Sequence, residues 1–379
     1  MYRRFVNLRV HNERTELYSL RRLGIIPHLF DEPPAADAQV ATASKKGYAS
    51  SSTISSWNCL PRTDINFALP PKIADTTPMH FFSLLRGQGE GCVMFIPPFG
   101  QTTVYDVDMQ AVISMPQPSF SMPSDSISLS MIRRADSHGV CYHDHDQLYV
   151  MGRAEGNGTF EVFNYCRTGA PTVGAIRCWS WDPLPPAPQA EPYQLGGKRC
   201  RPSAAAVVDE TTICASSIDG GAYTFDTVEC EWRQAGSWVL PFNGAAEYVP
   251  ELGLWFGLQA TAGNPHHRLC AFDLSSSSWP PVVQHAWDYL DDGLALPGDW
   301  RPWKRHLVNL GSGRFCIATS FRKAIKHTTS DEEHVETEYG EVTLLTGVDV
   351  VRGGSSVLEM IKHKSRLYDI EGMRIHCVL

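Results

Sequence analysis

Residues 222–232 read "AYTFDTVECEW". An apolar run ends at Phe225 and Asp226, a short polar stretch follows, and Trp232 opens the next run. An aromatic residue late in a strand fills space beside its sheet, and an Asp directly after it accepts backbone N–H groups in the turn. A Trp at the start of the returning strand packs back over that sheet. The stretch therefore reads as a hairpin, and the fold depends on whether the hairpin stands alone or recurs.

It recurs. "TTVYDVDMQAV" carries Tyr105, Asp106 and, six residues after the Asp, Val112; "LCAFDLSSSSW" carries Phe272, Asp273 and, again six later, Trp279. "FEVFNYC" offers Phe163 and Asn164, with Trp179 and Trp181 further on in "CWSWDPLPP". A proline-bearing exit follows each copy: "MPQP", "DPLPPAP", "WVLP" and "WPPV". Proline ends an outer strand without leaving an unpaired donor on the edge. Between copies lie further short apolar runs such as "RPSAAAVVDETTICASS" and "GLWFGLQ". Four strands per unit at a spacing of roughly 40 to 60 residues is the pattern of a β-propeller blade. The expectation is an all-β chain forming a single closed β-propeller over residues 1–379. It has six four-stranded blades, with seven as the alternative count. The N-terminal strands "YRRFVNLRV" and "TELYSLRRL" share the last blade with the C-terminal run "LEMIKHKSRLYDIEGMRIHCVL". Residues 31–77, rich in Pro, Ala and Ser, are expected to be a flexible loop or insertion.

The 379 residues are 43% hydrophobic, ample for a large core, and the net charge is −8. Such a balance does not suit a general binder of nucleic acid or of anionic membrane. No run reaches 18 apolar residues, so no membrane-inserted helix is expected. Six arginines stand among the first 22 residues (Arg3, Arg4, Arg9, Arg14, Arg21 and Arg22). They give the N-terminus a presequence-like look, while "FVNLRV" alternates like a strand. The location read from this is intracellular, cytoplasmic or nuclear, with mitochondrial as the alternative. The eleven cysteines are scattered and form no C-x-x-C, which reads as reduced thiols in apolar runs.

The stretch "LYVMGR…FEVFNYC…WSWDPLPPAP" resembles kelch and galactose-oxidase-type repeats, although Gly152 is followed by Arg153 where kelch has a second glycine. "YTFDTVECEWRQAGSWVLPFNGAAEYVPELGLWFGL" and "LVNLGSGRFCIATSF" are similar to a large family of proteins of undefined function expanded in grasses, of the kelch-like or F-box-associated propeller kind. The resemblance implies a propeller and no catalytic residue.

Dense polar clusters are few. "CYHDHDQL" holds His143 and His145, an H-x-H whose rings share one face of a strand, but no third metal ligand stands at a defined spacing. "NPHHRL" holds His266, His267 and Arg268, and His138 lies in another polar stretch. "DEEHVETEYGE" is an acidic run without the Gly and alternate spacing of a calcium loop. No Walker loop, G-x-S-x-G, H-E-x-x-H or G-x-G-x-x-G occurs. No catalytic, metal or cofactor residue is therefore assigned. The chain reads as a non-enzymatic scaffold holding a protein partner through loops at Asp136–Asp146, Gln259–Arg268 and Lys323–Gly340. The contact residues would be His138, His143, His145, His266, His267 and Arg268. The alternatives are a mitochondrially targeted, lineage-specific effector of the toxin or antidote kind, and an enzyme using the propeller channel.

Overall fold

A computed structural model of the chain describes residues 3–31, 54–57, 59–68, 81–85, 91–97, 101–120, 122, 126–133, 145–152, 159–168, 176–188, 202–218, 220–259, 268–275, 279–290, 296–297, 300–328, 335–354 and 357–379. The all-β expectation holds: among these residues the one α-helix is α1 (Ile25–His28), and the other regular elements are strands. The chain divides into two compact units, Met1–Ala68 with Trp287–Leu379, and Leu69–Ala286.

The first unit opens with β1 (Phe5–Asn12) and β2 (Leu17–Gly24), a hairpin, followed by α1, β3 (Ile54–Trp57) and β4 (Thr63–Phe67). The second unit runs through β5 (Phe81–Leu85), β6 (Cys92–Ile96), β7 (Thr103–Asp106) and β8 (Ala111–Ser114), then β9 (Ile127–Arg133), β10 (His145–Met151), β11 (Phe160–Thr168) and β12 (Ile176–Pro183). It continues with β13 (Ala204–Val207), β14 (Thr212–Ser217), β15 (Gly221–Asp226) and β16 (Glu231–Gly236), and then β17 (Phe242–Val249), β18 (Leu254–Gln259), β19 (Arg268–Phe272) and β20 (Val283–Asp288). The first unit resumes with β21 (Arg301–Gly311), β22 (Arg314–Thr328), β23 (Val335–Arg352), β24 (Leu358–Tyr368) and β25 (Met373–Val378).

Strands β5 to β8 form one four-stranded sheet in chain order and β9 to β12 another. Successive antiparallel four-strand meanders are the arrangement of a β-propeller. The recurring Asp does what its position implies. Asp226 accepts from the backbone N–H of Val228 and Glu229 at 2.9 and 3.0 Å, Asp106 from Met109 at 2.9 Å, and Asp273 from Ser275 at 2.8 Å. Asn164 departs from the set and donates from Nδ2 to Asp182 on the neighbouring strand at 2.6 Å.

The aromatic partner of each Asp is buried. Phe225 meets Phe160 of the preceding sheet edge-on at 4.9 Å, within a core that draws on both sheets. Trp232, paired directly with Phe225, is half-buried rather than mostly buried as the repeat implied. Its Nε1 donates to the carbonyl of Pro185 at 2.8 Å, in the proline-rich exit of the preceding sheet. The exit after β8 docks likewise: the N–H of Ser119 donates to the buried Glu161 of β11 at 3.1 Å. These two exits are thus held by the next sheet along.

Six blades are corrected to four. Among the described residues four sheets have the four or five strands of a blade, no sheet closes on itself, and a fifth runs continuously through eight strands, β16-β15-β14-β13-β17-β18-β19-β20. The join is a parallel pair of small-residue strands. Ala204, Ala205 and Ala206 of β13 pair in parallel with Gly244, Ala245 and Ala246 of β17. Their side chains are no larger than a methyl group and stand on the faces of the sheet, while the backbones pair across the join. A register shift between Asn243 and Glu247 lifts this part of β17 off β18, and Gly244 sits at φ +79°, a conformation that favours glycine.

In the first unit the sheet β25-β1-β2-β4 brings both ends of the chain together, as the terminal runs implied, with Leu8 opposite Val378 and Val10 opposite Ile375. The C-terminal run is divided, however: β24 joins β21-β22-β23-β24-β3. Most of residues 31–77, expected as a flexible loop or insertion, lies outside the described residues. Within that stretch, residues 54–57 form β3, parallel to β24, and 63–67 form β4 along β2.

Replacing Phe225 by Ala removes a fully buried ring that touches Phe160 and Trp232. Urea unfolding is expected to show a loss of about 3–5 kcal/mol; less than about 1 kcal/mol would contradict this placement.

Candidate functional site

The sequence placed the contact residues on loops. His138, His143, His266 and His267 lie outside the described residues. His145 opens β10, with its backbone opposite Arg133, and Arg268 opens β19 in a half-buried position. The structure does not bring these residues into one described cluster.

The third expected loop, 323–340, is instead a ribbon. Strands β22 and β23 stay paired from Arg314↔Asp349 as far as Thr328↔Val335. Their neighbours stop earlier: β21 pairs with β22 only to Arg301↔Arg322, and β24 with β23 only to Thr343↔Tyr368. Lys323–Thr328 and Val335–Gly340 therefore project as a two-stranded arm. Neither of its edges pairs with another strand among the described residues. A hairpin of this length is marginal alone, and here it continues strands whose inner ends are buried at Phe315, Cys316 and Ile317. The arm's base is polar. Lys323 Nζ donates to both carboxylate oxygens of Asp369 at 2.6 Å. The Arg322 guanidinium lies 4.5 Å from the ring centre of Trp303, an indole 43% exposed. The ion pair is partly solvated and contributes on the order of 0–1 kcal/mol, so the base is held mainly by the sheet.

A second polar assembly lies inside the first unit. Strand β1 is flanked by β25 and β2 and is buried on both faces: Val6, Leu8 and Val10 join the apolar core, while Asn7 and Arg9 are also nearly inaccessible. The Arg9 guanidinium lies 5.4 Å from the Tyr18 ring centre, and Tyr18 stacks on His11 at 4.5 Å. His376 meets both rings edge-on, and its backbone carbonyl accepts from Lys304 Nζ at 2.7 Å. Burial lowers the Arg9 pKa, opposed by Cys377, Tyr18 and Glu341. Burial, with Lys304 and Arg9 adding to it, pushes His306 down to about 3. Burial and then Arg9 push His376 down to about 2. Glu341 is raised by burial, against Lys304, Arg374, a hydrogen bond from Ser320, and Arg322. Nε2 of His306, Nε2 of His376 and Oε1 of Glu341 are buried without a hydrogen-bond partner among the described residues. Two imidazoles held neutral beside a buried cation suit a packing role; they are poor general bases near neutral pH. Sequence reasoning missed this assembly because its members are scattered. The one local signal was a charged Arg9 inside the apolar alternation of "FVNLRV".

Among the described residues no group of three or more His, Cys, Asp or Glu is arranged to hold a metal ion. Nor is any helix there long and apolar enough to cross a membrane. Cys214, Cys270 and Cys316 are buried, as their apolar runs implied.

Together these features define an all-β protein of propeller type carrying a projecting strand pair. Residues 3–368 match the family model of a protein of unknown function, DUF1668, and the chain belongs to that family. Among curated proteins none matches. Among solved structures, the dihydro-heme d1 dehydrogenase NirN in complex with DHE is 10% identical, over 97% of this chain and 75% of that one, with a TM-score of 0.34.

The buried imidazoles set a pH dependence. A histidine that ionises near 6.5 when unfolded but near 3 or 2 when folded is protonated only in the unfolded chain between those values. Stability is therefore full above pH 6.5 and falls as pH drops below it, by up to about 1.4 kcal/mol per pH unit for each group. The raised Glu341 acts in the opposite sense and offsets part of the loss. Urea midpoints measured from pH 7.5 to pH 5 are expected to fall more steeply for the natural chain than for His306→Asn. Equal slopes would contradict the assignment.

Proposed function

We propose that this protein is a protein-binding scaffold with no turnover of its own, and that its contact element is the β22–β23 arm. The observation that carries this reading is the pairing of the arm. From Lys323↔Gly340 to Thr328↔Val335 its strands bond to each other while neither edge has a strand beside it among the described residues. An open strand edge recognises an extended peptide through main-chain hydrogen bonds, and its side chains then set which peptide fits. The arm's sequence, "KAIKHT" against "VETEYG", is charged on both strands, which discourages pairing between copies of the chain. Exposed Trp303 beside Arg322 at the base has the residue types that anchor interfaces. Propeller folds serve many unrelated functions, so the reading rests on the arm and not on the fold.

Replacing residues 325–338 with an Asn-Gly turn shortens the arm to a hairpin closed at the Ala324↔Tyr339 pair. The melting temperature is expected to stay within about 2 °C of the natural chain. At the same time, at least one specific partner recovered by pull-down from the native tissue falls about tenfold in yield. Retention of every partner by the shortened chain, or turnover of a small molecule by the purified protein, would overturn the proposal.

A further inference from the structure

The two open edges of the arm differ in charge. Where the ladder to β21 stops, Arg301 and Arg322 are direct backbone partners, and both are exposed. Like charges placed opposite each other on neighbouring strands repel. Neither arginine forms an ion pair among the described residues. Glu341 stands opposite Arg322 on β23, but its Oε1 is buried. Lys323, next along β22, is committed to Asp369. A register shift between Pro302 and Lys304 leaves Trp303 outside the ladder, and the Arg322 guanidinium lies over its ring.

A guanidinium held over an aromatic face keeps the N–H groups in its plane turned outward, and those groups match a carboxylate. The neighbouring row of main chain also ends here. The N–H of Trp300 donates to the Pro297 carbonyl at 3.0 Å in a turn just before Arg301, and no described residue upstream of Arg301 pairs with β22. A strand laid antiparallel beside Lys323–Thr328 continues the row of β21. Its last residue then arrives next to Arg301 and Arg322. The strand it joins, β22, contributes Lys326 and His327 to the arm, whereas β23 contributes Glu336 and Glu338.

We propose that the β22 edge of the arm binds an acidic segment of a partner protein as an added antiparallel strand, with a carboxylate near the end of that segment held by Arg301 and Arg322. The inference rests on the reading of the arm as the contact element, and it adds which edge is used and what chemistry the partner brings. Main-chain hydrogen bonds to β22 supply affinity, and the arginine pair selects for acid. An acidic segment is drawn to β22 and repelled by the carboxylates of β23, which fixes the edge. Single-stranded nucleic acid also stacks on an aromatic beside arginines. It has no peptide groups to extend the ladder, and it would meet Glu336, Glu338 and a chain of net charge −8.

The test titrates the full chain against a fluorescein-labelled, C-terminally amidated heptapeptide of alternating glutamate and valine, read by anisotropy. A heptapeptide of alternating lysine and valine and a short oligothymidylate, carrying the same label, are the comparisons. The glutamate peptide is expected to bind at least about tenfold more tightly than either. Arg301→Ser combined with Arg322→Ser changes two exposed residues. The pair is expected to keep the melting temperature within about 2 °C and to weaken the glutamate peptide about tenfold. The chain shortened at residues 325–338 keeps both arginines but loses the strand edge, and it is expected to lose the peptide as well. Equal affinity for the two peptides, tighter binding of the oligothymidylate, or unchanged binding by the arginine variant or the shortened chain would each overturn this inference. The arm would keep its role in that event if its pull-down partner still depended on residues 325–338, so the two readings fail separately.

Discussion

Burial of aromatic rings between one sheet and the next is the contact on which the second unit is built. Phe160, Phe225 and Trp232 meet within 4.9 to 5.5 Å of one another across two sheets, and Phe242 stacks on Phe272 at 4.8 Å further along. Such pairs add about 0.5–1.5 kcal/mol beyond the area they bury. They also fix where the polar connections go. Once Trp232 packs against Phe225, its indole N–H reaches the carbonyl of Pro185, which places the exit of the preceding sheet. Trp255 does the same with the Val207 carbonyl at 2.7 Å. In each case the apolar contact and the hydrogen bond come from one side chain.

Neighbouring sheets of the second unit meet in two ways. Large rings keep the sheet of β9 to β12 at packing distance from the sheet of β13 to β16. Ala204, Ala205 and Ala206 instead pair in parallel with Gly244, Ala245 and Ala246, and the two sets of strands become one sheet. In the first unit the choice is between polar and apolar filling. Strand β1 buries Val6, Leu8 and Val10 in an apolar core and Arg9 in an assembly with Tyr18 and His376 nearby. A buried guanidinium lowers the cost of its burial by facing aromatic rings and a carboxylate, and it keeps nearby imidazoles neutral.

The legible part of the sequence was the part written in side chains. The aromatic–Asp unit gave the hairpins at Asp106, Asp226 and Asp273, and the Asp side chains bond as their spacing implies. What composition did not show was pairing between backbones. The residues from Lys323 to Gly340 lack an apolar alternation and so read as a loop, yet they continue the ladder of β22 and β23, which requires only main-chain groups. Strands β3 and β4 escaped notice for the same reason. Each is short and has little apolar character, and β3 finds its partner more than 300 residues away at Ser365–Tyr368. The Arg9 assembly draws on both ends of the chain, and no local window contains it.

Hydrogen exchange tests directly the proposal that the arm holds a partner. Amide exchange measured by mass spectrometry on the protein alone, and on the protein recovered with its partners from native tissue, compares the two states peptide by peptide. The account predicts that peptides covering Lys323–Thr328 and Val335–Gly340 gain protection in the recovered complex while those covering Arg314–Arg322 stay as they were. Protection gained elsewhere with the arm unchanged would contradict it.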